Sequence, residues 1–313
     1  MDAKDVKKVL VVGAGVMGHG IAQVCAQDGI AVNLADVNRE ALERAIRLMR
    51  NNLSTLVEAG KVFSGDIPAI IERIRIFTDL DVAVAGVDFV LEAVTEVPSV
   101  KKELFTKLDA ICSPETVFAS NTSSLDVFDI APDVRPERMV ITHWFAPPHI
   151  IPLVEVVPGP KTAPEVTALA LDLMKRLGKR PIVMKQFAPS FIVNRIQNAI
   201  GMAVWDILQN GWATPEEVDR AVKLSLGIRL PVVGVAQTLD FTGLDLVYQI
   251  VRNFGIDNEL LKEKVAKGHL GAKTSKGLYD YRGRTEEEIL KKRDLLYLKL
   301  LDHLDQIQAF EPI

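Results

Sequence analysis

Short apolar runs alternate with longer amphipathic stretches through the first 187 residues of the chain. The first run, Val9–Val12, is rich in β-branched residues, and its length is typical of a strand buried on both faces. A glycine-rich turn follows at once, and Ile21, Ala22 and Cys25 then repeat at helical spacing. The same alternation recurs along this segment, which predicts an α/β fold built on a doubly wound sheet.

The strands predicted after this turn are Ile30–Ala35, Ile74–Thr78, Val87–Ala93, Val117–Asn121, Met139–Trp144, Leu153–Val157 and Arg180–Met184. The helices predicted between them are Arg39–Gly60, Val100–Ile111, Leu125–Ile130 and Ala163–Leu177. Another helical pattern follows Gly60, so we expect residues 53–74 to form a projecting helical hairpin.

A change of periodicity predicts a second domain. After a turn at Gln186–Ser190 the apolar positions repeat only at helical spacing, along Ile192–Leu208, Pro215–Leu226 and Val235–Phe254. We therefore predict a first domain over residues 1–187 and an all-α second domain over residues 188–313. The latter ends in a highly charged helix, residues 284–304, whose apolar side is a candidate for extending a dimer interface.

The spacing of Gly13, Gly15 and Gly18, with Val16 and Met17 between them, fits a dinucleotide-binding turn. The first glycine would allow the tight turn, the second the approach of a pyrophosphate, and the third close packing of the helix. The helix N-terminus would then direct free N–H groups and its positive dipole end at the phosphates.

The second strand ends in Asp36, placed where a carboxylate accepts hydrogen bonds from a ribose 2′-hydroxyl. This position favours NAD, because Asp36 would repel the 2′-phosphate of NADP. Arg39 lies close enough in sequence to leave some tolerance of NADP open. The alternative interpretation of Asp36 is a helix cap.

Composition excludes several function classes. The 313 residues are 48% hydrophobic with a net charge of −4 and have no basic runs, which argues against nucleic-acid binding. Only Cys25 and Cys112 are present, without the spacing of a metal site, so no metal is expected. The first strand begins near the start of the sequence, and no apolar run reaches transmembrane length. We expect a cytoplasmic protein without membrane contacts.

Candidate chemistry follows the later strands, because ligands of open α/β sheets bind at the carboxyl ends of the strands. Residues 119–125, ASNTSSL, supply an amide and several hydroxyls there. His143 closes a predicted strand and could act as a general base if an acid orients it. Glu155 in the apolar run LVEVV is the obvious partner, although a purely structural buried pair is the alternative.

Six motifs extend over nearly the whole chain: VGAGVMGHGIAQ at the glycine turn, LEAVTE at Leu91–Glu96, SNTSSL at Ser120–Leu125, His143 and Glu155 with LVEVV, FIVNR at Phe191–Arg195, and GHLGAKTSKGLYDY at Gly268–Tyr281. With these motifs the chain resembles the 3-hydroxyacyl-CoA dehydrogenase family. The resemblance implies a Rossmann-like NAD-binding domain, a helical domain that forms a homodimer, and an active site between them. It also implies a role in the β-oxidation of fatty acids.

By the same resemblance, His143 is the base that takes the proton of a 3-hydroxyl, and Glu155 orients it. Ser123 and Asn194 match positions that hold the reacting oxygen. The positions near the nicotinamide and its ribose are Ala93, Glu96, Lys101 and Asn121. Simpler interpretations stay open: Asn194 as a helix cap, Lys101 as a solvated charge, and Ser124 in the role given to Ser123.

The resemblance is weakest around the substrate. Many family members have Phe-Phe-Asn-Pro after the histidine, whereas residues 144–148 read Trp-Phe-Ala-Pro-Pro. This version is similar to relatives that oxidise carnitine, gulonate or pyridine-ring alcohols. Conversely, the hairpin with Lys61 at its turn resembles the CoA-contacting arm of the acyl-CoA enzymes. We favour an acyl-CoA substrate, with His149 as a secondary substrate contact.

Three functions are therefore compared. The favoured one is NAD-dependent oxidation of an (S)-3-hydroxyacyl-CoA. The second is the same hydride chemistry on a hydroxy acid or alcohol without CoA. The third is a catalytically silent, crystallin-like NAD-binding protein, against which the set Ser123, His143, Glu155 and Asn194 argues.

Overall fold

The computed structural model describes residues 1–311 of the chain. These residues form two compact units, residues 1–199 and residues 200–311. The division falls after the predicted boundary at residue 187. One helix crosses the division, and backbone N–H groups at its start are hydrogen-bonded to Glu155 of the sheet, which joins the start of this helix to the first unit. The placement of the functional domain boundary at residue 187 stays a prediction.

The first unit is built on one eight-stranded sheet of order β3-β2-β1-β4-β5-β6-β7-β8. The strands are β1 Lys8–Val12, β2 Ala31–Ala35, β3 Ile74–Phe77, β4 Phe89–Glu92, β5 Val117–Ser120, β6 Met139–Trp144, β7 Leu153–Pro158 and β8 Arg180–Val183. Every neighbouring pair is parallel except β6 and β7, which are antiparallel. The doubly wound prediction is confirmed, and the reversal at β7 is a feature the sequence pattern did not indicate.

Helices cover both faces of this sheet. They are α1 Gly18–Gln27, α2 Arg39–Glu58, α3 Ile67–Glu72, α4 Leu80–Ala83, α5 Pro98–Ile111, α6 Val127–Ile130, α7 Pro164–Arg176 and the start of α8, Val193–Gln209. The strands of the centre are buried on both faces, as their continuous apolar runs require, and two separate apolar cores result. The turn between α2 and α3 carries Lys61, as predicted for the hairpin.

The second unit is helical. After the end of α8 it contains α9 Pro215–Ala221, a π-helical stretch Val222–Leu226, α10 Gly227–Thr242, α11 Leu244–Asn253, α12 Glu259–Ala266 and α13 Glu286–Gln306. The single helix predicted over residues 235–254 is wrong. Gly243, with φ 94°, ends α10 and allows a change of direction before α11.

One expectation about membranes needs correction. Pro215–Thr242 contains an 18-residue window with a mean hydropathy of 1.2 and, taken as one stretch, is long and apolar enough to cross a membrane by length and composition alone. The stretch is interrupted at Gly234, where φ is 69° and ψ is 178°, three residues after Pro231. The stretch is therefore not one continuous regular helix.

Candidate active site

The glycine turn has the shape that a dinucleotide needs. A Cβ atom on Gly13, whose φ is 101°, would lie 2.4 Å from the Ala93 carbonyl oxygen, and one on Gly18 would lie 1.7 Å from the Gly13 carbonyl oxygen. Around Gly15, in contrast, nothing lies within 4 Å of such an atom. Two glycines therefore permit close backbone packing, while the third leaves open the space that a pyrophosphate would fill.

Asp36 lies at the end of β2, beside this turn. Its carboxylate accepts hydrogen bonds from the backbone N–H groups of Ala14, at 2.8 Å, and Asn38, at 2.9 Å. With Gly13, Gly15 and Ala93 it lines a cavity of about 640 Å³. Arg39, the candidate for tolerating NADP, is instead paired with Glu43 at 3.0 Å. The residues present thus fit NAD.

The two residues between Gly15 and Gly18 differ in environment. Val16 is 72% exposed, whereas Met17 packs partly against the apolar core. Met17 directly precedes the first residue of α1. Both residues lie on the turn that faces the predicted pyrophosphate position.

His143 and Glu155 are opposite residues of the antiparallel pair β6 and β7. His143 Nδ1 lies 2.8 Å from Glu155 Oε2, and both side chains are buried. Because a carboxylate oxygen accepts hydrogen bonds, Nδ1 carries a proton and donates a hydrogen bond to Glu155. Nε2 is then the ring nitrogen left to accept a proton from a substrate.

The other carboxylate oxygen of Glu155 also has partners. Oε1 accepts hydrogen bonds from the backbone N–H groups of Ile192 and Val193, each at 3.1 Å, where α8 begins. A buried carboxylate is stable only when its oxygens are satisfied, and here both are. The hydrogen-bond partners that a carboxylate in this apolar run requires are therefore His143 and the N-terminus of α8.

Ser123 and Asn194 are neighbours in the first unit. The side-chain amide of Asn194 donates to the backbone oxygen of Ser123 at 3.4 Å. Ser123 is exposed, so its hydroxyl is accessible to a ligand. Sequence positions 71 residues apart are thus brought together at the end of β5 and the start of α8.

Glu96 holds the loop that carries Ser123. Its Oε1 accepts from the Thr122 hydroxyl at 2.6 Å and from the backbone N–H groups of Ser123 and Ser124 at 2.8 and 3.1 Å. Partial burial alone would raise the pKa of Glu96, but the Thr122 hydrogen bond and the Lys101 charge bring the pKa below its usual value. Glu96 therefore stays ionised and orders this loop.

A buried ionic network lies beneath the same loop. Lys101 is 1% exposed and donates to Glu92 at 2.6 Å, and it lies 3.2 Å from Glu96. The solvated-charge interpretation of Lys101 is wrong. Glu92 was missed by the sequence analysis, although a carboxylate inside the apolar strand FVLE was a usable signal.

Asn121 joins the ends of two strands. Its side-chain oxygen accepts from the backbone N–H of Trp144 at 2.8 Å, which ties the end of β5 to the end of β6. Its own backbone N–H donates to the backbone oxygen of Glu92. Asn121 and Ala93 therefore both lie where the carboxyl ends of the central strands meet.

His149 lies elsewhere. It lines a cavity of about 310 Å³ together with Gln27, Asp28 and Lys179, a set that contains no other predicted site residue. Burial, followed by the nearby His19 and Lys179, lowers the pKa of His149. Lys61 is exposed at its hairpin turn.

The cysteines have no catalytic signature. Burial raises the pKa of Cys25 to about 12 and that of Cys112 to about 11, so both remain thiols at neutral pH. In residues 1–311 no group of three or more His, Cys, Asp or Glu side chains is arranged to hold a metal ion.

Comparison with known proteins identifies the family of both parts of the chain. Residues 8–187 match the model of the 3-hydroxyacyl-CoA dehydrogenase NAD binding domain, and residues 191–281 match that of the C-terminal domain. A probable 3-hydroxybutyryl-CoA dehydrogenase of Bacillus subtilis is 35% identical over 90% of this chain and 99% of its own length.

Two further relatives are named for different substrates. A 5-formyl-3-hydroxy-2-methylpyridine 4-carboxylate 5-dehydrogenase of Mesorhizobium japonicum is 33% identical over 88% of this chain and 91% of its own length. The solved structure of a 3-hydroxyacyl-CoA dehydrogenase from Archaeoglobus fulgidus aligns with a TM-score of 0.77 at 32% identity, covering 96% of this chain and 99% of that one. The chain is an NAD-dependent oxidoreductase that belongs to the 3-hydroxyacyl-CoA dehydrogenase family.

Proposed function

We propose that the protein oxidises the 3-hydroxyl group of an (S)-3-hydroxyacyl-CoA to the 3-oxoacyl-CoA. The observation that carries the proposal is the buried His143–Glu155 pair at the carboxyl end of the sheet, on the same unit as the dinucleotide cavity. When bound, NAD would accept the hydride that leaves C3 of the substrate.

The protein itself handles the proton. His143 Nε2 accepts it from the 3-hydroxyl, and Nδ1–H stays hydrogen-bonded to Glu155 throughout. Nδ1 of the imidazolium that forms lies 2.8 Å from the Glu155 carboxylate, which stabilises the positive charge. In the reverse direction the same proton returns to the substrate oxygen.

Ser123 and Asn194 are proposed to hold that oxygen. A hydroxyl and an amide are neutral hydrogen-bond donors. They therefore stabilise the polarised carbonyl without competing with His143 for the proton of the 3-hydroxyl. Their proximity, with Asn194 3.4 Å from the Ser123 backbone oxygen, supports the assignment. Glu96 contributes by ordering the Ser123 loop.

The second candidate is the same chemistry on a compound without CoA. It is favoured by the pyridine-compound dehydrogenase among the relatives and by the loop Ala146–His149, which connects β6 and β7. The exposed Lys61 favours CoA, because an ammonium group on the hairpin suits a nucleotide diphosphate.

The deciding experiment compares NADH-dependent reduction of acetoacetyl-CoA with that of free acetoacetate and with NAD-dependent oxidation of the pyridine aldehyde named for the relative. We expect saturating kinetics with the thioester alone. Lys61→Ala should raise KM for acetoacetyl-CoA without lowering kcat, whereas Lys175→Ala on the exposed end of α7 should leave both unchanged. Turnover of the pyridine compound alone would favour the second candidate, and no turnover with NADH bound would favour a silent binding protein.

We also propose that the protein is a cytoplasmic homodimer. Large apolar side chains are exposed on residues 200–311, among them Met202, Trp205, Trp212 and Phe254. Several large exposed apolar side chains on one domain favour an interaction surface there. The family's helical C-terminal domain supplies these residues.

A further inference from the structure

The connection between β8 and α8 contains two consecutive left-handed residues. Ser190 has a φ of 63° and Phe191 a φ of 50°. This region is unfavourable for residues other than glycine, above all for one with a bulky side chain. Such a conformation persists where surrounding contacts hold it, so the contacts of this turn indicate what it is for.

The Phe191 side chain contacts the candidate base. Phe191 is 1% exposed, and its ring centroid lies 5.1 Å from that of the His143 imidazole. Phe145 contacts the same imidazole at 4.5 Å. The ring of His143 is thus restrained by aromatic neighbours, and the apolar surroundings strengthen its hydrogen bond to Glu155.

The backbone after the turn contacts the partner of the base. The N–H groups of Ile192 and Val193 both donate to Glu155 Oε1 at 3.1 Å. Convergence of successive N–H groups on one anion is typical of a chain that passes through the left-handed region. Because these groups occupy Oε1, the other oxygen of Glu155 is held toward His143 Nδ1.

We propose that Ser190–Phe191 is a positioning turn for the general base. The inference rests on the proposed function, because it gives the turn a part in proton transfer at His143. Neither residue is assigned a contact with substrate. The backbone of the turn aims two amides at Glu155, and the Phe191 ring limits rotation of the imidazole.

The test compares substitutions by their backbone preferences. Ser190→Val places a β-branched residue in the left-handed region and should displace the turn, whereas Ser190→Gly accommodates it. Ser275 is the matched control, since it is also left-handed, with a φ of 57°, but lies in the second unit. Ser275→Val should lower the melting temperature without changing the rate.

Two readouts are needed. In acetoacetyl-CoA reduction, Ser190→Val should lower kcat by roughly tenfold to a hundredfold, as expected when a catalytic group is misplaced, with KM and the Kd of NADH nearly unchanged. In proton NMR, the downfield Nδ1–H signal, assigned by its absence in His143→Gln, should shift or disappear in Ser190→Val. Ser190→Gly should retain both the rate and the signal.

A folded Ser190→Val variant with the wild-type kcat and NMR signal would overturn the positioning role. If that variant does not fold, Phe191→Leu provides the second measurement, and the same two retained values would count against the proposal. If wild type reduces none of the substrates but the signal still depends on Ser190, the proposed function fails and the positioning role stands.

Discussion

His143 and Glu155 show how a single pair of residues combines stability and chemistry. Each would be costly to bury alone, yet both are buried because Nδ1–H donates to one carboxylate oxygen of Glu155 and two backbone amides at the start of α8 donate to the other. The arrangement leaves one ring nitrogen uncommitted. A proton acceptor in a water-poor environment is the result.

The first prediction concerns His143→Gln, which keeps polarity but removes the base. We expect kcat for acetoacetyl-CoA reduction to fall by about 10²–10⁴-fold, because general acid–base catalysis contributes that much. NADH affinity, measured by fluorescence titration, should stay near the wild-type value. A variant with wild-type kcat would exclude His143 as the base.

Lys179 is a buried cation outside the proposed mechanism. It is 8% exposed, donates to the backbone oxygens of Pro148 and Ile151, and lies 5.2 Å from the centroid of the Trp144 ring. Burial lowers the pKa of Lys179 from its usual 10.5 to about 8. The charged form is therefore less favourable in the folded state than in the unfolded one.

The second prediction is a pH dependence of stability. Between about pH 8 and pH 10.5 the unfolded chain holds a proton on Lys179 that the folded chain has lost, so rising pH stabilises the fold. From pH 7 to pH 10, the free energy of unfolding of wild type should rise by on the order of 2 kcal/mol relative to Lys179→Met. Urea unfolding at each pH measures this difference.

The exposed Lys175 provides the control for that experiment, because its side chain is 56% exposed. The difference between wild type and Lys175→Met should not change over the same pH range. A flat difference for Lys179→Met as well would show that burial does not lower the pKa of Lys179.

At the scale of elements, the reversal of one strand creates the site. In an antiparallel pair, directly opposite residues have side chains on the same face at close range. Pairing of β6 with β7 in this direction sets His143 opposite Glu155. The backbone at the start of α8 then donates a hydrogen bond to the same carboxylate. A parallel β7 would not give this register.

The third prediction separates two glycines of the turn between β1 and α1. Gly18→Ala should destabilise the fold, since its Cβ would lie 1.7 Å from the Gly13 carbonyl oxygen. Gly15→Ala should fold normally but bind NADH at least tenfold more weakly, because the added methyl group takes pyrophosphate space. Thermal melting and NADH titration of both variants measure this, and equal effects would contradict the assigned roles.

Asp240 binds the motif Gly268–Tyr281 of the second unit through its carboxylate. It is 1% exposed and accepts from the backbone N–H groups of Leu278 and Tyr279 and from the Tyr281 hydroxyl, at 2.8, 2.9 and 3.0 Å. Burial and the charge of Asp240 raise the pKa of Tyr281. The carboxylate thus fastens the segment around residues 271–281 to α10.

The fourth prediction follows from those three donors. Asp240→Ala leaves the buried Tyr281 hydroxyl and two partly buried backbone N–H groups without their acceptor and should destabilise the protein by about 3 kcal/mol, whereas Tyr281→Phe should cost about 1 kcal/mol. Asp245→Ala, at an exposed ion pair with Lys273, is the control and should cost less than 1 kcal/mol. If denaturant unfolding gave the same loss of unfolding free energy for Asp240→Ala as for the control, Asp240 would not be what holds residues 271–281 to α10.

At the scale of the whole molecule, apolar exposure on residues 200–311 requires an explanation. Trp205 is 62% exposed and Trp212 is 69% exposed. Water contact with such large aromatic surfaces is unfavourable, and a second copy of the chain would remove it.

The fifth prediction tests the proposed homodimer. Wild type should sediment as a dimer at micromolar concentration, and the double variant Trp205→Glu, Trp212→Glu should sediment as a folded monomer, because it places charges in the interface. Val82→Glu, at an exposed position of α4, should leave the dimer intact. A monomeric wild type would refute the proposal.

The sequence by itself determined the alternation of strands and helices, the dinucleotide turn and the acidic residue that follows it. These features depend on local patterns: apolar periodicity specifies strands and helices, Gly13 and Gly18 are required by close backbone packing at one turn, and Gly15 leaves space open beside it. For the same reason the helical character of residues 200–311 was readable, although the break at Gly243 was not.

Only the tertiary structure decided how distant residues meet. The direction and register of β7, the two amides of α8 on Glu155, and the burial of Lys101 between Glu92 and Glu96 all join residues that are separated along the chain. The placement of His149 in a cavity apart from His143 is of the same kind. Such contacts depend on how the sheet is assembled, and no local pattern records strand order or register.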